Sequence, residues 1–162
     1  MTKLRSIAVL MATLLLIDAS VSARDVEASS GDEIIMNAWS DPTECNRANA
    51  DTVSFEVLMR NADARIGDCV AVDGYWKGRA LFGSARSARS DGALVSDRLS
   101  GKRLGLYAQW ELIGDPPGQP EGMRFIGRVG QCETQWPEAI MVMGYCHYTG
   151  GPILLVSEAV AT

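Results

Sequence analysis

The stretch GDCVAVDGYWKGRALFGSA, Gly67 to Ala85, is where the chain changes period. Before it, Phe55, Leu58 and Met59 recur at i, i+3 and i+4, the spacing of one helical face. Within it, Val70, Val72, Gly74 and Trp76 alternate with Cys69, Ala71, Asp73 and Tyr75. The two sets therefore point to opposite faces of a strand. A short helix thus leads into a β region. Ser54 stands where a helix cap belongs, although Val57 replaces the acid of a capping box. Asn61 and Asp63 end the helix, and Gly67-Asp68 turns the chain into its first strand. RALFGSA, from Arg79, continues as a second strand.

Downstream, KRLGLYAQWEL (Lys102 to Leu112) reads as a third strand, with Leu104, Leu106, Ala108 and Trp110 on one face. Between strands two and three, SARSARSDG repeats Ser-Ala-Arg, but its small and charged residues read as a loop. GDPPGQPEG has three prolines and three glycines and is a loop. MRFIGRVGQC, from Met123, is a short connector of mixed character. AIMVMGYCHY and PILLVSEAV read as the last two strands, joined by Thr149-Gly150-Gly151. The run from Ala139 to Ser157 is uncharged, yet its glycines and Pro152 cut it into pieces of strand length, too short for a membrane span. Five short strands with internal glycines predict a small closed barrel, because glycine lets a strand bend at a barrel corner. A β-sandwich is the alternative.

VLMRNADARIGDCVAVDGYWKGRALFGS, Val57 to Ser84, resembles the start of an OB-fold domain found in uncharacterised bacterial exported proteins. Gly67, Val70, Val72 and Gly74 carry the resemblance as a G-x-x-V-x-V-x-G first strand. VMGYCHYTGGPILLV is similar to that fold's closing hairpin. The resemblance spans Thr52 to Val160 and implies a mainly β, five-stranded OB-fold-like Greek-key barrel preceded by a short helix. It implies no catalytic residues. The connector between strands three and four is often helical in that fold; Gly127 and Gly130 speak against a helix here.

The first residues, MTKLRSIAVLMATLLLIDASVSARDVE, have the pattern of a cleaved secretory signal. Lys3 and Arg5 precede an apolar core from Ile7 to Ile17, and Val21-Ser22-Ala23 offers small residues for cleavage. That core rises only ~16 Å as a helix, short of a ~30 Å hydrocarbon layer. The expected organisation is a signal peptide over 1–23, a polar N-terminal arm over 24–51, ordered at most in part, and the barrel domain over 52–162. The expected location is periplasmic or secreted. Without Lys3, Arg5 and Asp18, the 15 basic and 20 acidic residues fall to 13 and 19, a net charge of −6. An acidic chain is no general nucleic-acid binder. Lys77 to Arg103 nevertheless holds seven basic residues against Asp91 and Asp97.

Cys45, Cys69, Cys132 and Cys146 all follow the signal, which in an exported protein reads as two disulfides. Cys45–Cys69 and Cys132–Cys146 are favoured because short loops close most easily. No pair has C-x2–4-C spacing, so no metal is expected. Cys146 and the only histidine, His147, are adjacent, and neighbours on a strand point to opposite faces, which argues against a catalytic pair. No nucleotide, hydrolase or metalloprotease motif occurs, and no cofactor is expected. A binding role is therefore expected ahead of an enzymatic one. OB-folds bind on the face of strands two and three and its flanking loops. The candidates there are Arg79 and Phe82 on strand two, Arg86 and Arg89 in the following loop, and Arg103, Tyr107 and Gln109 on the off-face of strand three. Aromatic and cationic residues together suit an anionic polymer, a lipid headgroup or an acidic protein surface. Head-to-tail association of the basic region with the acidic remainder is the alternative.

Overall fold

The computed structural model describes residues 33–90 and 103–162. The expected signal peptide, the start of the arm, and Arg98 and Lys102 lie outside the described residues. Strands β1 (Ile34–Ile35) and β2 (Asp51–Val53) precede helix α1 (Phe55–Arg60). A single 3-10 turn, Ala62–Arg65, leads into β3 (Cys69–Lys77). Next come β4 (Ala80–Phe82), α2 (Ala85–Ser90), β5 (Arg103–Tyr107) and α3 (Trp110–Ile113). The chain ends with β6 (Glu121–Gln131), α4 (Cys132–Gln135), β7 (Met141–Val142), α5 (Tyr145–Tyr148) and β8 (Pro152–Ala161).

The strand order β3-β4-β5-β8-β6 closes through β6 back onto β3, giving a five-stranded barrel. Its third and last strands, β5 and β8, run parallel; the other barrel pairs are antiparallel. This is the mainly β, five-stranded OB-fold-like Greek-key barrel preceded by a short helix that the resemblance implies, and the small closed barrel that short strands with internal glycines predict. Val70, Val72 and Trp76 face its interior with Leu81, Leu106, Phe125 and Leu154. Trp76 meets Phe125 edge-on at 5.5 Å and stacks on Trp110 at 6.3 Å, so α3 packs against the barrel core. Ser54 caps α1 by accepting the Val57 amide, and Phe55 and Leu58 bury its inner face. Burial of a leucine such as Leu58 stabilises the fold by about 2 kcal/mol.

Four expectations are corrected. The supposed connector at Met123 lies in the longest strand, β6, which pairs with both β3 and β8. Phe125 and Val129 point inward and Arg124 and Arg128 outward, but Gly127 and Gly130 dilute that alternation. The closing hairpin is absent: β8 pairs with β6, and Ala139–Tyr148 forms two strand residues and a helical turn. Gly144 and Gly151 have positive φ, which breaks the extended run on both sides of α5. SARSARSDG is not a loop from its start, since Ala85–Ser90 is helical. The Ser84 hydroxyl accepts the Ser87 amide, and Ala88 is fully buried. Finally, the third strand stops at Tyr107, before Trp110 opens α3.

Two disulfides, Cys45–Cys69 and Cys132–Cys146, hold coverings onto the outside of the barrel. The first ties the 41–50 turn region over Ala71 and Ile126, and β2 pairs in parallel with β3 beside it. The arm from Glu33 is likewise tied down: β1 pairs with β7, and Ser40 is buried. The second disulfide closes the strap 132–151 between β6 and β8. Paired cysteines suit an oxidising compartment. Among the described residues, no helix is long and apolar enough to cross a membrane.

Candidate functional site

The face on which such barrels receive ligands is the outside of β4 and β5. Here the protein's own strap covers it. The ring of Tyr145, on α5, lies where a Cβ of residue 105 would fall, so only a glycine in β5 lets α5 sit this close. Tyr107, on the same outer face of β5, donates its hydroxyl to the Met143 carbonyl at 2.7 Å. That hydroxyl also accepts the Cys146 amide at 3.0 Å. Trp136 meets the Tyr107 ring edge-on at 5.0 Å. Phe82, Ala88, Tyr107, Tyr145 and Ile153 form a second core outside the barrel.

Two of the expected platform residues are thus interior: Phe82 and Tyr107 are each 1% exposed and present no face for stacking. Gln109 sits at the N-cap of α3, half-buried. Arg103 lies over the Tyr145 ring at 5.6 Å and serves to hold the strap. Arg79, Arg86 and Arg89 are exposed. Arg79 occupies the two-residue β3–β4 turn, its guanidinium 5.7 Å from the Trp110 ring centroid and its Nη1 beside Gly144. Arg86 and Arg89 project from α2 rather than a loop.

Burial pushes the Tyr107 hydroxyl above its ordinary value of 10.0, against the lowering pull of the Cys146 amide and Arg79. The unfolded chain therefore ionises this tyrosine first. Its contribution to stability is intact below that ordinary value and is lost as pH rises through the raised one. Tyr107→Phe is expected to remove this alkaline component from a stability–pH curve. At neutral pH the same change leaves two part-buried backbone groups without this partner and costs about 1–2 kcal/mol in denaturant unfolding.

The cations divide by location. Arg47, Arg65, Arg124 and Arg128 pair with Glu158, Asp51 and Asp68, Asp73, and Glu44 respectively. The Arg124–Asp73 pair is bidentate at 2.7 Å, and that hydrogen bonding lowers the Asp73 carboxyl below its ordinary range. Among the described residues, no carboxylate pairs with Arg60, Lys77, Arg79, Arg86 or Arg89. Lys77 instead donates to the Ala88 carbonyl of α2 at 3.0 Å. The unpaired charges therefore gather around the β3–β4 turn, α2 and the end of α1.

A groove of about 590 Å³ runs between α1 and α2. Phe55, Met59 and Gly83 give it an apolar floor, Ser84 and Ser87 supply hydroxyls, and Glu56 and Arg60 supply one charge of each sign. Sequence reasoning missed this groove and the part of Arg60 in it. The residues lie about twenty-five positions apart, and only the Ser-Ala-Arg repeat, taken as a helix, hints that they meet.

The adjacent Cys146 and His147 do not form a nucleophile–base pair. Cys146 has no thiolate, because it is bonded to Cys132. It follows Tyr145 on a helical turn rather than a strand, so the disulfide, not strand geometry, separates it from a role with His147. The His147 ring is exposed and stands edge-on to Tyr148 at 4.5 Å. Among the described residues, no group of histidine, cysteine or acidic side chains is placed to hold a metal ion. No family model matches the chain, and neither a curated protein nor a solved structure matches it.

Proposed function

We propose that this protein is an exported, non-catalytic binding module for an anionic ligand of the cell envelope, and that it binds around the β3–β4 turn and α2. One observation carries this reading: among the described residues, no carboxylate pairs with Arg60, Lys77, Arg79, Arg86 or Arg89, while Arg47, Arg65, Arg124 and Arg128 are neutralised in ion pairs. Unpaired arginines form a charge-assisted, often bidentate match to phosphate and carboxylate. The neighbouring groove adds hydroxyls and apolar surface. The two disulfides and the signal-like start support an exported setting. The basic rim, rather than the outside of β4 and β5, is the ligand surface, because the strap occupies the latter.

The test is titration with lipopolysaccharide, an anionic envelope polymer, with phosphatidylglycerol vesicles as the lipid arm. Binding is expected to weaken with added salt, since exposed charges are screened beyond ~10 Å at 0.1 M ionic strength. The triple variant Arg79→Ala, Arg86→Ala, Arg89→Ala is expected to bind about tenfold more weakly, equivalent to about 1.4 kcal/mol. Absence of salt-sensitive binding to either probe would remove the proposal.

A further inference from the structure

Among the described residues, the parallel pair β1–β7 is a two-stranded sheet apart from the barrel. Such a sheet has two edges, and two strands alone are marginal in water. The carbonyls of Glu33 and Ile35 accept the amides of Ile140 and Met143, so those residues face β7. Strand alternation then turns the amide and carbonyl groups of Ile34 and Met36 the other way, along the outer edge of β1. The side chains on this ribbon are apolar and open. Ile34 is 48% exposed, Met36 66% and Met141 42%, and Ile34 stands directly beside Met141 in the register. Soluble proteins usually blunt a free edge with lysine, proline or a bulge. From Ile34 to Met36 this edge has none of these.

We propose that this edge joins a second copy of the chain, with β1 antiparallel to β1 of its partner about a two-fold axis through Ile35. The register explains the choice of occupant. With Ile35 on the axis, Ile34 stands opposite Met36 of the second copy, and the outward-facing groups of both residues exchange their N–H···O bonds. Glu33 then stands opposite Asn37, so no like charges face each other. Side chains Met141, Ile34 and the second copy's Met36 form one continuous apolar row. The contact is isologous and closes at two chains, the commonest symmetry for a homo-oligomer. It leaves the basic rim of α2 untouched and so stands independently of the proposed ligand.

Sedimentation velocity of the oxidised protein over a concentration series tests this. The expected result is a mass that moves from one chain to two as concentration rises. Met36→Pro removes an outward amide, and Ile34→Lys places a charge on the edge while keeping every backbone group. Each is expected to weaken association at least about tenfold with an unchanged far-UV spectrum; if Met36→Pro alters that spectrum, Ile34→Lys decides. A single-chain mass at every concentration overturns the proposal. So does association that survives the edge variant, or that Arg86→Ala with Arg89→Ala abolishes, since the latter indicates head-to-tail charge pairing instead.

Discussion

Replacing Gly127 with valine is expected to destabilise the barrel by about 4 kcal/mol or more, in the range where a small domain no longer accumulates folded. Gly127 lies where β6 and β8 change register, between the pairs Ile126–Glu158 and Gly127–Val156. The ladder steps over Ser157, whose hydroxyl donates to the Ile126 carbonyl at 3.1 Å. A Cβ at 127 would fall on the Leu155 carbonyl and close to Val156 Cα. Those are backbone atoms of the neighbouring strand, so no rotamer change relieves the overlap. The bulge bends β8 and lets the sheet close, a common use of such irregularities. Denaturant unfolding of the purified variant, or its failure to appear in the soluble fraction, checks the expectation. A valine variant as stable as the parent would show that the β6–β8 closure is wrongly placed.

Removing the Cys132–Cys146 bond with a paired Cys→Ser change is expected to cost about 3 kcal/mol, the loop-closure value for a separation near fifteen residues. For a domain of this size the melting temperature should fall by about 10 °C. The effect should also be local. The bond anchors the strap over Phe82 and Tyr107, and loosening it uncovers that aromatic surface. Binding of a hydrophobic dye should therefore rise before global unfolding. The Cys45–Cys69 bond closes a longer loop, and its paired removal should destabilise by a similar amount, but without early dye binding, because the turn it holds covers only Ala71 and Ile126. Equal dye binding by both variants would mean that the strap is not a separate covering.

The first half of the barrel was legible because its sequence alternates with a period of two, although Ala71 is buried as well. Val70, Val72 and Trp76 are buried, while Asp73 and Tyr75 are exposed, so a period of two is written into β3. Strand β5 was legible from Leu104 and Leu106 on its inner face, although Gly105 and Tyr107 on its outer face are buried as well, beneath the strap. The second half hid because tertiary contacts, not local pattern, decide it. Gly127 and Gly130 look like strand breakers, yet each makes room for a neighbour, the Leu155 backbone and the Gln135 side chain. The 139–148 segment looks like a strand because it is apolar on both sides. Only Tyr145 in it is buried, against β5, while Ile140, Met141 and Tyr148 are exposed, and apolar character alone does not specify helix or strand. Both disulfide pairings followed from short separations. At the site, the arginines could be read from the charge run, but their freedom from carboxylates is a property of the folded surface. That Phe82 and Tyr107 are covered could not be read at all, since the covering lies some forty to sixty residues downstream.

The protein's own strap holds the outside of β4 and β5, and the proposed anionic ligand meets the basic rim beside it. Amide chemical-shift mapping during a lipopolysaccharide titration tests it most directly. Salt-sensitive shifts are expected to be confined to Lys77–Ala80, Ala85–Ser90 and Arg60, with Gly105, Tyr107 and Tyr145 unmoved. Shifts centred on Phe82, Tyr107 and Tyr145, with the strap released, would contradict it.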